Sequence, residues 1–317
     1  MAARLRAAAR RRVLLLVAIA TARHRSGSLP YSRWLELGGI GVRKPEYLNR
    51  SSRKERVAAQ YDSAQLADEF AGAYQSSRAV GRVLRTRLRL VQDILASFPG
   101  GDLLDAGCGP GVVAQALLKS RPNDFRISVL DQSRAMVECC AASVRSLGKV
   151  YPAVGQLEAL PYADATFDVT LVMGVLEYSD ADTAVNEISR VTRPGGLAVI
   201  TMINALSPYR ITEWILYRPL LRMLGVLEIC LHLPVERRHR VGTTGIHALT
   251  AGKLRRLMTQ ANLEPVDLVY YDLTLPIPPF GRLSLAGGEE LADYELMATA
   301  KWSRWLCTGY VLAARRY

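Results

Sequence analysis

From residue 101 to residue 202, short apolar runs alternate with stretches of helical periodicity, and no other feature constrains the fold as tightly. Leu103-Leu104 opens the first run, and Val112, Val113, Ala116 and Leu117 follow at helical spacing. Residues 126–131 form a second run, after which Ser133 stands where a helix N-cap belongs, ahead of a helix running towards Leu147. Residues 150–154, 167–173 and 197–202 read as further strands. Ala181, Ala184, Val185, Ile188 and Val191 mark the helix between the last two, with Pro194-Gly195-Gly196 as its stop. The near-continuous apolar character of 167–173 suits a strand covered on both faces. This order implies an α/β fold with a parallel, doubly wound sheet.

The flanks extend the pattern. Val80, Val83, Leu84, Leu88, Val91, Ile94, Leu95 and Phe98 predict a helix that ends at Pro99-Gly100-Gly101. Residues 203–246 break the rhythm with Trp214, Ile215, Leu216, Leu220, Met223 and Leu227 in a strongly apolar stretch. Arg218, Pro219, Arg222 and Glu228 interrupt it, so it reads as an inserted helical lid and not as a transmembrane span. A helix over 253–261, a strand over 266–271 and a last strand over 309–314 complete the order, with Pro276, Pro278 and Pro279 forcing a loop before the last.

Of the 317 residues, 22% are charged and 50% hydrophobic, a globular composition able to bury a large core. The five cysteines show no CxxC spacing and the four histidines no HExxH pair. No metal site and no disulfide framework is therefore expected. The formal charge is +12, but residues 1–33 carry eight arginines and no acid, which leaves +4 for the rest. A body so mildly basic does not call for a nucleic-acid partner. Two local clusters, Arg78, Arg82, Arg85, Arg87 and Arg89, and then Arg237-Arg238-His239-Arg240, read as solvated faces. Residues 1–55 form a basic segment. Five of its arginines precede an apolar run at 13–20, the layout of a targeting signal; a disordered tail and a membrane-surface helix are the other readings.

The chemistry concentrates in Asp105-Ala106-Gly107-Cys108-Gly109-Pro110-Gly111, between a strand and a helix. Glycines there allow a sharp turn and close approach of a ligand to the backbone. A dinucleotide fingerprint would need glycine at 112, where this chain has Val112. Asp105, ahead of the glycines, would repel a pyrophosphate and suits an ammonium group. Asp131 ends the next strand, where a carboxylate can accept hydrogen bonds from both ribose hydroxyls. The expected ligand is a nucleoside with a cationic tail.

Further motifs follow in order: Gly155-Gln156-Leu157-Glu158-Ala159-Leu160-Pro161-Tyr162, Phe167-Asp168-Val169, Val175-Leu176-Glu177-Tyr178 and Arg190-Val191-Thr192-Arg193-Pro194-Gly195-Gly196. With the glycine loop and Asp131, this series resembles the class I S-adenosylmethionine-dependent methyltransferases. Within them it is most similar to the small-molecule branch that includes the ubiquinone/menaquinone-biosynthesis type, the type 11 methyltransferase domain. The resemblance covers 101–202 and implies a Rossmann-like, seven-stranded, mostly parallel sheet with an antiparallel last strand. N-terminal helices and the inserted lid are added to it. The methyltransferase domain would then span 56–317, with its cofactor-binding half at 101–202, the lid at 203–246 and a C-terminal half at 247–317.

By the same resemblance the cofactor is S-adenosyl-L-methionine. Asp105 and the backbone of Gly107, Cys108, Gly109 and Gly111 would hold its methionine part, and Asp131 its ribose. Gln132 and Met136 would flank the adenine, Gln156 and Leu157 meet its edge, and Met173 and Gly174 line the sulfonium side. The family usually has Asp at the position of Gln156 and often His at that of Tyr178. Gln156 can still accept a hydrogen bond from the adenine amino group.

Methyl transfer needs proximity above all, and a general base only where the acceptor keeps its proton. Glu177, Tyr178 and His247 are the candidates. The apolar lid suggests a hydrophobic small-molecule acceptor such as a quinol, a polyketide or a lipid-like metabolite. It also suggests peripheral membrane contact through 208–233 or 1–25. Two other readings stand beside this one: a non-catalytic nucleoside-binding scaffold, and a nicotinamide dehydrogenase, which Val112 and Asp105 disfavour. The cofactor points to the cytoplasm, with or without membrane association, or to the mitochondrial matrix if residues 1–25 are a transit peptide.

Overall fold

The computed structural model describes residues 62–76, 79–232, 246–272, 274–277, 281–284 and 302–317. The basic N-terminal segment, the Arg237-Arg238-His239-Arg240 cluster and Pro278-Pro279 lie outside them. Two helices come first, α1 (Ala64–Gln75) and α2 (Ala79–Ala96). Then strands and helices alternate as β1 (Gly101–Ala106), α3 (Val112–Ser120), β2 (Phe125–Asp131), α4 (Arg134–Val144), β3 (Val150–Val154), β4 (Phe167–Met173), α5 (Ala181–Val191) and β5 (Thr192–Ile203). The inserted segment is helical: α6 (Pro208–Thr212), a π-turn over Glu213–Tyr217 and α7 (Arg218–Cys230). The chain closes with α8 (Ala251–Gln260), β6 (Leu263–Tyr271), a hairpin of β7 (Thr274–Ile277) and β8 (Gly281–Ser284), α9 (Ser303–Leu306) and β9 (Gly309–Arg316).

Seven strands form one sheet in the order β3-β2-β1-β4-β5-β9-β6. The pairs among β1 to β5 are parallel, and β9 runs antiparallel to both β5 and β6. This is the expected Rossmann-like sheet with its antiparallel last strand. Successive residues of a strand face opposite sides, and the core divides accordingly. Leu104, Ala106, Val172 and Ile200 pack beneath α5 and α8. Leu103, Val129, Val169 and Val199 pack beneath α2, α3 and α4. Order reverses between β1 and β4, so the chain leaves these two strands in opposite directions and opens a crevice at their C-terminal ends.

Local chemistry explains most boundaries. The Ser133 hydroxyl accepts the Met136 amide at 3.1 Å and so starts α4, as expected of an N-cap. Two expectations are corrected. Pro194-Gly195-Gly196 does not stop α5, which already ends at Val191; it lies within β5, where the register against β4 jumps from Phe167↔Thr192 to Val169↔Leu197. The three residues are taken up in that irregularity, with Gly195 at φ +80°. Pro276 does not break the chain into a loop either, because it sits in β7 opposite Arg282. A two-stranded ribbon is all edge, and edges tolerate proline.

At the opposite end of β1 an ion network closes the sheet. Asp102, buried, accepts hydrogen bonds from Arg126 (its Nη2 at 2.6 Å) and from Arg193 Nη2 at 3.0 Å. Arg193 Nη1 also reaches Asp168 at 2.6 Å, and Asp168 accepts the Asp102 amide at 2.8 Å. The hydrogen bond from Arg126, helped by Arg193, holds the Asp102 carboxyl below its ordinary value of 3.8. A depressed carboxyl stabilises the fold above the unfolded value, and that contribution fades as pH falls through the folded one. Asp102→Asn should therefore be less stable than the parent in urea at pH 7. The gap should close as pH is lowered below 3.8.

Candidate functional site

A cleft opens at the C-terminal ends of β1 and β4, enclosing about 1160 Å³ with its mouth included. The glycine loop forms one wall. Gly107, Gly109 and Gly111 all have positive φ, which side-chain-bearing residues rarely adopt. A Cβ at Gly107 would run into Val175, whereas one at Gly109 would meet nothing within 4 Å. The backbone at Gly109 is thus bare towards the cleft, as a cradle for a ligand requires. Asp131 ends β2 on the facing side and is tied to this loop. Its Oδ2 accepts the Gly109 amide and its Oδ1 the Ser133 amide, both at 3.0 Å. These bonds orient a half-buried carboxylate whose remaining lone pairs are available to hydroxyl groups.

The other walls come from distant parts of the chain. Gln132 and Met136 enter from the start of α4, and Gln156 and Leu157 from the loop after β3. That loop is stapled by α5: Glu187 accepts the Leu160 amide at 2.8 Å, and Arg190 donates to the carbonyls of Tyr162 and Leu160 at 2.7 and 3.0 Å. Met173 and Gly174 complete the wall at the end of β4, where the Gly174 amide donates to Thr201 Oγ1 at 2.9 Å.

Every cofactor residue expected from the sequence lines this cleft except Asp105 and Gly111. Gly111 packs behind the loop, where a Cβ would lie 2.6 Å from Cys140 Sγ. Asp105 is fully buried beneath the loop and neither carboxylate oxygen has a hydrogen-bond partner. Burial, reinforced by the charge of Asp131, pushes its carboxyl up to about 7. A buried acid left unsatisfied is costly, and an ammonium group brought to the loop above it would offset that cost. The orphaned acid, the bare glycine backbone and the anchored Asp131 together fit a nucleoside with a cationic tail.

A second cavity of about 740 Å³ adjoins the first and shares Phe70, Arg87, Gly174 and Tyr178 with it. Two of the three base candidates meet here. Glu177 and Tyr178 lie on the 3₁₀ turn Leu176–Tyr178 after β4, and both line the second cavity. Glu177 is buried, and desolvation raises its carboxyl against the pull of Arg87 and Arg210. His247 is exposed and lines neither cavity; it meets this turn through its amide, which donates to the Glu177 carbonyl at 2.8 Å.

The sequence missed the N-terminal wall. Phe70 and Tyr74 of α1, with ring centroids 6.2 Å apart, and Arg87 of α2 line the cleft. An aromatic pair four residues apart was the available signal. No described residue of α6 or α7 lines either cavity. Trp214, Ile215, Leu220 and Met223 instead point outward and are each more than half exposed. Nor is the arginine-rich stretch of α2 wholly a solvated face. Arg85 turns in to the carbonyls of Tyr74 and Ser76 at 2.9 and 2.8 Å, and Arg87 turns into the cavities.

Comparison with known proteins agrees with this geometry. A family described as a methyltransferase domain matches residues 104–200. A malonyl-[acyl-carrier protein] O-methyltransferase of Serratia marcescens is 32% identical over 50% of this chain and 56% of its own length. A ubiquinone/menaquinone biosynthesis C-methyltransferase of Geotalea daltonii is 33% identical over 32% of this chain and 45% of its own. The chain thus spans about half the length of these relatives. A malonyl-[acyl-carrier protein] O-methyltransferase of Dechloromonas aromatica is matched more fully, at 31% identity over 79% of this chain and 82% of its own length. The fold is shared with the [4+2]-cyclase SpnF (TM-score 0.53, 22% identity, 84% of this chain and 97% of that one). It is also shared with a geranyl diphosphate methyltransferase solved with geranyl diphosphate and sinefungin (TM-score 0.52, 18% identity, 84% and 100%). With a relative above 30% identity matched over most of its length, and the domain matched across the β1–β5 half, the chain belongs to the S-adenosylmethionine-dependent methyltransferase family.

Proposed function

We propose that the protein transfers a methyl group from S-adenosyl-L-methionine to a small, predominantly apolar acceptor. The observation that carries this reading is the pairing of Asp131 with the bare Gly109 backbone at one end of a cleft that continues, past Gly174, into a second cavity. In this reading Asp131 holds the ribose hydroxyls, and Met136 and Leu157 give the adenine apolar contacts. Gln132 and Gln156 stand at its polar edge, and Asp105 attracts the ammonium group from beneath the loop. Once bound, the cofactor supplies an activated methyl group.

The chain's own part is to align an acceptor in the second cavity, exclude water and manage the acceptor's proton. Glu177, whose carboxyl is raised by burial, is the base best placed to take such a proton, with Tyr178 beside it. Phe70, Val83, Leu84 and Met202 give that cavity its apolar lining, which supports an apolar acceptor. The outward apolar side chains of α6 and α7 support peripheral contact with a lipid surface. No helix among the described residues is long and apolar enough to cross a membrane.

The test is calorimetric titration with S-adenosylmethionine, S-adenosylhomocysteine and NADH. Saturable binding of the first two and none of NADH is expected. Binding of NADH alone would replace this reading with the dehydrogenase. Cofactor binding without turnover on any apolar acceptor would favour a scaffold.

A further inference from the structure

Five arginines fall within residues 78–89, yet they meet different fates. Arg85 spends its guanidinium on two carbonyls that tie α2 to the end of α1. Arg87 is different. Its described hydrogen bond is a single long one, Nη2 to the Tyr74 hydroxyl at 3.2 Å, and its Nε is buried with no acceptor. A guanidinium presents five donors in a rigid fork, so most of this one is unspent. It lines both cavities at their junction. It also lies close against Gly174, since a Cβ at that glycine would come 2.5 Å from Nη1. Gly174 has φ +69° and holds its place through Thr201, so the glycine makes room for the guanidinium beside the wall assigned to the sulfonium.

A second unsatisfied donor belongs to a residue that lines the same cavity. Thr308 lines the second cavity, and its Oγ1 is buried without a partner. Thr308 precedes β9 directly, and α2 packs against β9, so both donors approach the cavity from neighbouring elements. Two orphaned donors, one of them cationic, in a cavity whose lining includes a single carboxyl, that of Glu177, are costly unless a ligand brings the acceptor atoms. The nearby acids do not fill that need. Glu213 is engaged with Arg210 at 2.5 Å. Glu177 feels Arg87 through space, and Arg87 Nε still has no acceptor.

We propose that Arg87, with the Thr308 hydroxyl, receives an oxyanion of the acceptor, so that the acceptor is an apolar molecule bearing a carboxylate or phenolate. This rests on the methyltransferase reading only in naming the bound molecule the acceptor. A fork of N–H groups matches such an oxygen pair, and charge assistance roughly doubles the strength of each bond. Next to a cationic sulfonium, a guanidinium also favours an acceptor that arrives already negative, which is the nucleophilic form of an acid or a phenol.

The probes are octanoate and benzoate against octanamide and benzamide, titrated calorimetrically into protein saturated with S-adenosylhomocysteine. Both carboxylates should bind about tenfold or more tightly than their amides, the discrimination expected of a charge-assisted pair. Arg87→Met should erase that preference; because Arg87 also lines the cofactor cleft, the variant is titrated only after its own saturation with S-adenosylhomocysteine has been measured. Thr308→Val, which keeps the shape of the side chain, should weaken the carboxylates several-fold and guards against misfolding of the arginine variant. Equal binding of acid and amide overturns the proposal, as does no binding of either carboxylate, or octanoate affinity unchanged in Arg87→Met. Loss of S-adenosylhomocysteine binding in the parent would instead remove the methyltransferase reading, and the carboxylate preference of the free protein would still decide the role of Arg87.

Discussion

Asp131→Ala is expected to lower affinity for S-adenosylmethionine and S-adenosylhomocysteine by about a hundredfold or more while leaving the fold intact. Two hydroxyl groups donating to one carboxylate are charge-assisted, each worth about 1.5–3 kcal/mol, so losing both passes two orders of magnitude. The variant also frees the amides of Gly109 and Ser133, which now donate to the carboxylate. That loosens the loop that would cradle the ligand. The cost to stability is small, because burial already pushes this carboxyl up and so disfavours its charge. Ser133 still caps α4 through its hydroxyl, so the helix start survives. Calorimetry would read the affinity and a urea melt the stability. Asp131→Asn, which keeps an acceptor oxygen without the charge, should fall between. Affinity near that of the parent in Asp131→Ala would sink the assignment of this end of the cleft to the ribose.

The second acid should behave in the opposite way. Asp105→Asn is expected to stabilise the ligand-free protein, most at alkaline pH, and to weaken cofactor binding. The carboxyl stands at about 7 in the fold against an ordinary 3.8, raised chiefly by burial and then by Asp131. Below 3.8 it is neutral in both states and costs nothing. As pH rises from 3.8, the unfolded chain releases its proton first and the fold loses ground. Above about 7 both states are ionised and the penalty is constant, on the order of 4 kcal/mol. Asparagine never ionises, so the gain over the parent should grow between pH 4 and 7 and then level off. Paired urea melts at pH 5 and pH 8 would show it. A variant no more stable than the parent at pH 8 would mean that the carboxyl ionises freely and is not desolvated. The weakened binding has the same origin, since a buried negative charge just below the loop is worth most to an ammonium group above it.

Much of this was legible in consecutive residues. Strand and helix positions followed from hydrophobic period, and the cap at Ser133 from a single residue type. The glycine loop followed from three positions where the chain must turn tightly. Asp131, Gln132, Met136, Gln156, Leu157, Met173 and Gly174, named by resemblance to the family, all line the cleft, because each lies at or soon after the end of a parallel strand and such ends meet on one side of a doubly wound sheet. Asp105 was read as a contact, yet it lies one layer below the surface of the cleft. Its position in the motif was plain, but its depth depends on how the loop folds back over it.

What the residues determined by themselves was the alternation of strands and helices and the glycine loop with its two acids, because period, capping and turn-forming residues act over a few neighbours; the seven-stranded sheet was what the family resemblance implied. Tertiary structure alone decided what closes the site. The apolar stretch at 208–230 had the composition of a cover, but composition does not say where a helix is placed, and its described side chains line no cavity. Among the described residues it is α1 that adds to the wall, with Phe70 and Tyr74 reaching the cleft because that helix packs on α2 and α4. Arg85 and Arg87 are two residues apart in one arginine-rich run, yet one is consumed by carbonyls and the other lies against Gly174 in a cavity that Thr308 also lines. Gly174 and Thr308 lie 87 and 221 positions along the chain from Arg87, and only folding brings them to one cavity.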